Sequence, residues 1–324
     1  MNRNLLYPLQ FNAQLHYRLW GGERLETLLG KASAPSSCGE SWEISALEGK
    51  NSVISNGPLK GKKLSELISA HPEAVLGEKS LARFGENFPL LIKFIDAKEP
   101  LSVQVHPNNA LAQERHNSWG KSEMWYIIDA SPEAVLTLGF NQSINSSDFQ
   151  QRCKDRDLAS ILQEQKVRKG DVVDVPAGLL HAIGGGILLA EIQQASDITY
   201  RVYDYDRIDA KKGKARRLHQ EKALAAIDFS LKGSLLDYQT EENKAVDLVH
   251  NDHFSTKIIH LNGQYSAASD KNDSFEILVG VEGAAQLDYE GVEYEIGLGN
   301  CLLLPAALNS YQLKGKGKVL SVKV

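Results

Sequence analysis

From Trp125 to Pro305 the chain keeps returning to one pattern, a short apolar or alternating run closed by Gly, Asn, Asp or Ser. The segments WYII, AVLTL, DVVDV, ILLAEIQ, TYRVYDY, TKIIHL, FEILVGV, AAQLDYE, VEYEI and CLLLP each predict a strand. Many short strands so punctuated predict a mainly β protein of the jelly-roll sandwich or barrel kind. Helical spacing is confined to four stretches: Lys63–Ala74, limited by Pro72; Asn109–Arg115; Ser147–Gln165, as one broken helix or two; and His219–Phe229. The polar, weakly patterned segment 232–252 predicts a junction between a larger unit, 1–235, and a smaller one, 236–324.

One strand-like stretch, LSVQVHP, follows the apolar run FPLLIKFI. A period of two turns Ser102, Gln104 and His106 to one face and Val103 and Val105 to the other. A hydroxyl, an amide and an imidazole in a row next to core residues predict convergence on a ligand.

The pattern also echoes itself. Gly170 to His181 reads G-x5-P-x-G-x2-H, and Gly299 to Ser310 reads G-x5-P-x-A-x2-S. Each is preceded by a glutamate, Glu123 and Glu276, seven positions before a small residue. Two similar β-units are expected, with only the first carrying the histidine. Glu123 and Gly170 stand about twice as far apart as Glu276 and Gly299, so the first copy holds an insertion, assigned to the helices of Ser147–Gln165.

Composition narrows the chemistry. With 324 residues, 42% of them hydrophobic, the chain can bury a substantial core. The net charge of −5, from 36 basic and 41 acidic residues, gives no support to nucleic acid or an anionic membrane as a main partner, so an anion site must be local. Three scattered cysteines (Cys38, Cys153, Cys301) form no CxxC pair, which fits a reducing compartment and argues against a thiolate metal site. The start, MNRNLLYPLQF, lacks the pattern of a secretory leader, and a cytoplasmic location is expected.

Gln104-Val-His106, then Glu123, then His181, resembles the cupin pattern of metal ligands, with Gln104 where a histidine is usual and Gly185 where that pattern ends in Asn. Imidazole nitrogen and carboxylate oxygen are ordinary zinc donors, and two histidines with one carboxylate also suit ferrous iron. An iron-dependent dioxygenase and a non-catalytic sugar-phosphate-binding cupin are therefore the competing readings. Denser motifs favour an isomerase. FPLLIKFIDAKEPLSVQVHPNN, GKSEMWYII, VPAGLLHAIGGGILLAEIQQASDITYRVYDYDR and GKARRLHQEKALAAID, with WGG at Trp20–Gly22 and GESWEIS at Gly39–Ser45, resemble the type I phosphomannose isomerases in their short bacterial form. That resemblance implies a zinc enzyme that interconverts mannose 6-phosphate and fructose 6-phosphate, with one ion held by Gln104, His106, Glu123 and His181.

Moving a proton between C1 and C2 through an enediolate requires a base, a cation near both oxygens and an anchor for the phosphate. The resemblance assigns charge stabilisation to Arg201. Glu191, in the buried-looking run ILLAEIQ, is the first candidate for the base and Asp197 the second, with Lys121 as proton shuttle or oxyanion partner. Ser102 and Arg207 are the phosphate candidates, and Trp20 lines the sugar pocket. His116, His219, His250, His253 and His260 have no partner pattern and read as structural, and KKGKARR (Lys211–Arg217) reads as a solvated loop.

Overall fold

The computed structural model describes residues 6–32, 34–267, 273–308 and 310–324; the first five residues of the start read for a leader lie outside them. In chain order the first elements are β1 (Gln14–Gly22), α1 (Arg24–Thr27), β2 (Cys38–Ile44), α2 (Leu64–Ala70), α3 (Pro72–Leu76) and α4 (Glu78–Phe84). There follow β3 (Leu90–Ala97), β4 (Val103–Val105), α5 (Asn109–His116), β5 (Glu123–Ala130), β6 (Val135–Phe140) and α6 (Ser146–Lys154). Then come β7 (Leu162–Lys166), β8 (Val172–Val175), β9 (His181–Ile183), β10 (Ile187–Gln194) and β11 (Tyr200–Tyr203). A small hairpin, β12 (Ile208–Asp209) and β13 (Lys214–Ala215), leads to α7 (Gln220–Ala226). The remainder is β14 (Ala245–His250), β15 (Ser255–Ala267), β16 (Glu276–Tyr289), β17 (Val292–Glu295), β18 (Cys301–Leu304) and β19 (Tyr311–Lys323).

The strands form three principal sheets, and the mainly β fold expected from the pattern is the fold adopted. One sheet runs β1-β2-β3-β10-β5-β8, a second β11-β4-β9-β6-β7, and the C-terminal one β14-β15-β19-β16-β17 with β18 on β16. Trp125, Ile127 and Leu189 of the first sheet share a core with Leu136, Leu138 and Ile183 of the second. The opposite face of the first sheet packs Ile92, Phe94 and Leu188 against helix residues Leu64 and Leu67 and against Ile277, Val279 and Leu320 of the C-terminal sheet. Covered on both sides, β3 and β10 are buried at every position, which is why LLIKFIDA and ILLAEIQQ read as nearly continuous apolar runs. Among the described residues no helix is long and apolar enough to cross a membrane.

Four expectations change in detail. Lys63–Ala74 is two helices, because His71 leaves helical geometry and Pro72 starts α3 at a position where its missing N–H costs nothing. The helix expected to Gln165 stops at Lys154. Arg156 takes a left-handed φ of 57°, a 3₁₀ turn spans Leu158–Ile161, and LQEQK becomes β7, pairing with β6. FEILVGV and AAQLDYE fuse into the single strand β16, which bends through a register shift between Gly280 and Glu282. Gly283 at this bend has φ 69°, and a Cβ there would meet the Lys316 carbonyl at 2.2 Å. Part of the polar segment 232–252 is the strand β14. Strands β1 and β2 escaped the apolar pattern because they carry polar residues such as Arg18 and Glu40.

The sequence echo is matched in register. Glu123 opens β5 and pairs with Val175, the residue before Pro176; Glu276 opens β16 and pairs with Leu304, the residue before Pro305. The two glutamates have opposite surroundings. The carboxylate of Glu276 accepts from Tyr311 and Ser321 hydroxyls, whereas Oε2 of Glu123 is buried with no hydrogen-bond partner.

Candidate active site

The second sheet brings the two histidines together. Gln104 of β4 pairs with His181 of β9 on one side and with Arg201 of β11 on the other. Val103 and Val105 point the opposite way into a core with Tyr200 and Val202, as the period of two requires. His106 follows β4, and its ring centroid lies 4.9 Å from that of His181. Glu123 reaches in from the facing sheet, Oε1 to His106 Nε2 being 3.3 Å and Oε2 to His181 Nε2 3.9 Å. The ligand atoms of His106, Glu123 and His181 all lie within 4.8 Å of one another, and all three residues are buried.

This donor set fits a metal ion. Nδ1 of His106 lies 2.8 Å from the Ile198 carbonyl and Nδ1 of His181 2.9 Å from that of Leu179. A carbonyl only accepts, so each Nδ1 carries the proton and each Nε2 lone pair is left for the centre. Burial, with Lys121 adding to it, lowers His106 to a pKa of about 4, and burial also lowers His181, so both rings are neutral at pH 7. Burial alone would raise Glu123, but Lys121 and His106 pull it well below the usual carboxylate range. The Lys121 ammonium bonds Glu123 Oε1 and lies 3.3 Å from His106 Nε2, so the cluster already recruits one cation. With the orphaned Oε2 of Glu123, these are the features of a divalent-cation site with nitrogen and oxygen donors. Gln104 is less committed: its Nε2 lies 3.4 Å from His181 Nε2, and its carbonyl oxygen 3.4 Å from Ser102 Oγ.

Beside the cluster opens a cleft of about 330 Å³, within the size range of small-molecule sites at about 300–1,000 Å³. Its wall carries six basic side chains (Arg18, Lys50, Lys93, Lys121, Arg201, Arg216) against three carboxylates (Glu40, Glu191, Asp197), a balance that favours an anionic ligand. Trp20, Ser102 and Gln104 line it as well. Arg201 donates from Nε to Ser102 Oγ at 3.2 Å and from Nη1 to the Arg217 carbonyl at 3.1 Å. Burial and the neighbouring Arg216 lower its pKa to about 10, and it remains a cation at neutral pH.

The two candidate bases sit differently. Glu191 is 3% exposed and opposite Lys93 across β10 and β3, its Oε1 2.9 Å from Lys93 Nζ and 4.0 Å from Lys121 Nζ. Trp125 Nε1 donates to its other oxygen at 3.2 Å. Asp197 lies at the rim, its side chain 54% exposed and 2.7 Å from Lys50. Burial raises the Asp197 carboxyl, but the Lys50 hydrogen bond and charge outweigh it and leave it below its usual value.

Arg207 is not brought to the cleft wall. Its fork is taken up behind the wall by the carbonyl of Pro100 and the carboxylate and carbonyl of Asp204. Arg216 stands at the wall instead, held by the same Asp204, Nε to Oδ2 2.7 Å. Arg216 belongs to the stretch expected as a solvated loop, and Arg18, Glu40, Lys50 and Lys93 are cleft residues that the sequence pattern does not single out, although Lys93 is a lone charge inside FPLLIKFI. Burial would raise Glu40, yet Lys93 and Arg18, with the Trp42 N–H, bring it down to about 2. His219, expected to be structural, also lines the cleft.

Residues 8–145 match the description "Phosphomannose isomerase type I, catalytic domain", and residues 244–324 match "Mannose-6-phosphate isomerase, cupin domain". The mannose-6-phosphate isomerase ManA of Bacillus subtilis is 36% identical over 312 residues, 95% of this chain and 96% of that one. The chain belongs to the type I phosphomannose isomerase family. A Streptococcus mutans mannose-6-phosphate isomerase is 34% identical, over 97% of each chain. The crystal structure of the Bacillus subtilis mannose 6-phosphate isomerase superposes with a TM-score of 0.89 at 35% identity, over 98% of this chain and 100% of that one. The Salmonella typhimurium phosphomannose isomerase, at 16% identity and TM-score 0.77, shares the fold over 98% of this chain and 99% of its own. For a phosphomannose isomerase, the cleft beside the His106–Glu123–His181 cluster is the candidate active site.

Proposed function

We propose that the protein interconverts mannose 6-phosphate and fructose 6-phosphate in this cleft, with a zinc ion held by His106, Glu123 and His181 and assisted by Gln104. The carrying observation is the buried two-histidine, one-carboxylate cluster, with its orphaned Glu123 oxygen, joined to a cationic cleft through Lys121 and Gln104, which touch the cluster and line the cleft. When bound, the ion supplies Lewis acidity toward the substrate's O1/O2 edge. Glu191 moves the proton between C1 and C2, because it is buried in the cleft close to Lys121 while Asp197 is held at the rim by Lys50. Arg201 and Lys121 stabilise the negative charge of the enediolate. Ser102 and Arg216 anchor the phosphate, with Arg207 acting behind them through Asp204, and Trp20 closes the sugar side. The division into a catalytic unit over 1–235 and a C-terminal cupin unit over 236–324, and a cytoplasmic location, belong to the same reading.

A coupled assay on mannose 6-phosphate, with metal content measured on the same sample, tests it. Chelation should abolish isomerisation and added zinc restore it. Full activity in metal-stripped protein refutes a catalytic metal, and iron-dependent oxygen uptake would replace the isomerase with a dioxygenase.

A further inference from the structure

Among the described residues, His219 is the one histidine that lines the cleft. It is tied to the residue that the proposed reaction uses most. The Arg201 backbone N–H donates to His219 Nδ1 at 3.2 Å, and the His219 backbone N–H donates to the Arg201 carbonyl at 2.7 Å. Two reciprocal bonds fix the ring beside β11. Because Nδ1 accepts from an amide, it carries no proton, so the neutral ring must carry its proton on Nε2. Nε2 makes no hydrogen bond among the described residues and is not sealed off as a buried unpaired atom. The tautomer is therefore set by the backbone, and the ring presents a donor and no acceptor on its free edge. Burial, then Arg201, Arg217 and Lys222, all lower its pKa, which keeps this neutral donor form at pH 7. Arg201, Arg216 and Ser102 line the same cleft as His219, and Arg201 bonds Ser102.

We infer that His219 is a specificity-determining residue whose Nε2–H donates to a phosphoryl oxygen of the sugar phosphate, as a neutral third donor beside Arg216 and Ser102. This rests on the proposed placement of the substrate in the cleft. A donor with no lone pair suits an acceptor-only anion and gives nothing to a hydroxyl that must itself donate. An uncharged donor adds a directed contact without adding to the repulsion among the neighbouring arginines.

The test measures binding of inorganic phosphate to the whole metal-loaded protein by calorimetry, apart from turnover, for wild type, His219→Phe and His219→Gln. A lost hydrogen bond to a charged partner predicts a phosphate Kd raised about tenfold or more in His219→Phe. His219→Gln, whose amide N–H reaches nearly as far, should stay within about threefold of wild type. The KM for mannose 6-phosphate should follow the same order with kcat little changed. Phosphate affinity unchanged in His219→Phe while its melting temperature falls would mean that the ring merely braces Arg201, and the inference fails. A fall in kcat with KM and phosphate affinity intact would also overturn it, in favour of proton transfer. If the phenylalanine variant does not fold, nitrogen-15 spectra of wild-type His219 decide: phosphate should shift the Nε2–H signal, and an unmoved signal refutes the contact. Phosphate binding without isomerisation in wild type would count against the isomerase reading and leave this one standing.

Discussion

Replacing Lys93 with methionine probes how charge is held in the cleft floor. Lys93 and Glu191 meet at 2.9 Å between adjacent strands, with side chains only 7% and 4% exposed. Both side chains are almost wholly buried at the cleft floor, so removing one leaves the other largely unpaired. Losing one partner of a buried pair costs about 3–5 kcal/mol. Lys121, at 4.0 Å from Glu191, and the Trp125 N–H, at 3.2 Å, return part of this, which places the expected loss near the lower end, about 3 kcal/mol. The double variant Lys93→Met with Glu191→Met keeps similar volume and leaves no charge unpaired, so it should regain most of the loss. Urea unfolding followed by circular dichroism measures both, with the comparison valid where the slope stays constant. Activity should be absent from the double variant whatever its stability. A single-variant cost below about 1 kcal/mol, or a double variant less stable than the single, would refute the idea that these charges neutralise each other inside the sheet.

The proton-transfer assignment separates two carboxylates: Glu191→Gln should lower kcat by about 10²- to 10⁴-fold, while Asp197→Asn, altering a group held at the rim, should leave it nearly unchanged, both read in the coupled assay. Arg201→Ala should cost about 10²- to 10³-fold in kcat with an unaltered circular dichroism spectrum, and Arg201→Lys should recover only part, because Nε and Nη1 bond two separate acceptors. Arg216→Ala should raise KM for mannose 6-phosphate about tenfold or more, and Arg207→Ala less, since Arg207 acts only through Asp204; steady-state kinetics giving the reverse order would return the phosphate to Arg207.

Much of the candidate metal cluster was legible in the chain. A strand's period of two is enough to place Ser102, Gln104 and His106 on one side of β4, and the repeated Gly-Pro turn points to the strand that begins at His181. The repeat also exposes Glu123 by contrast with Glu276, which has the same register and a satisfied carboxylate. Strands β1 and β2 were harder to see, because lining a polar cleft disrupts the alternation by which a half-buried strand is recognised.

The sequence by itself determined the sheet-rich architecture, which follows from local periodicity and turn residues that act over a few positions, and it offered Gln104, His106, Glu123 and His181 as metal-ligand candidates through their resemblance to the cupin pattern. Only the tertiary structure decided which charges meet. Lys93 and Glu191 stand 98 positions apart and face each other because β3 pairs with β10 in one register out of several possible. Arg216 rather than Arg207 reaches the cleft because Asp204 gathers both guanidiniums and the Pro100 carbonyl holds Arg207 back. Long side chains on loops take their direction from such distant partners, and no local pattern encodes it.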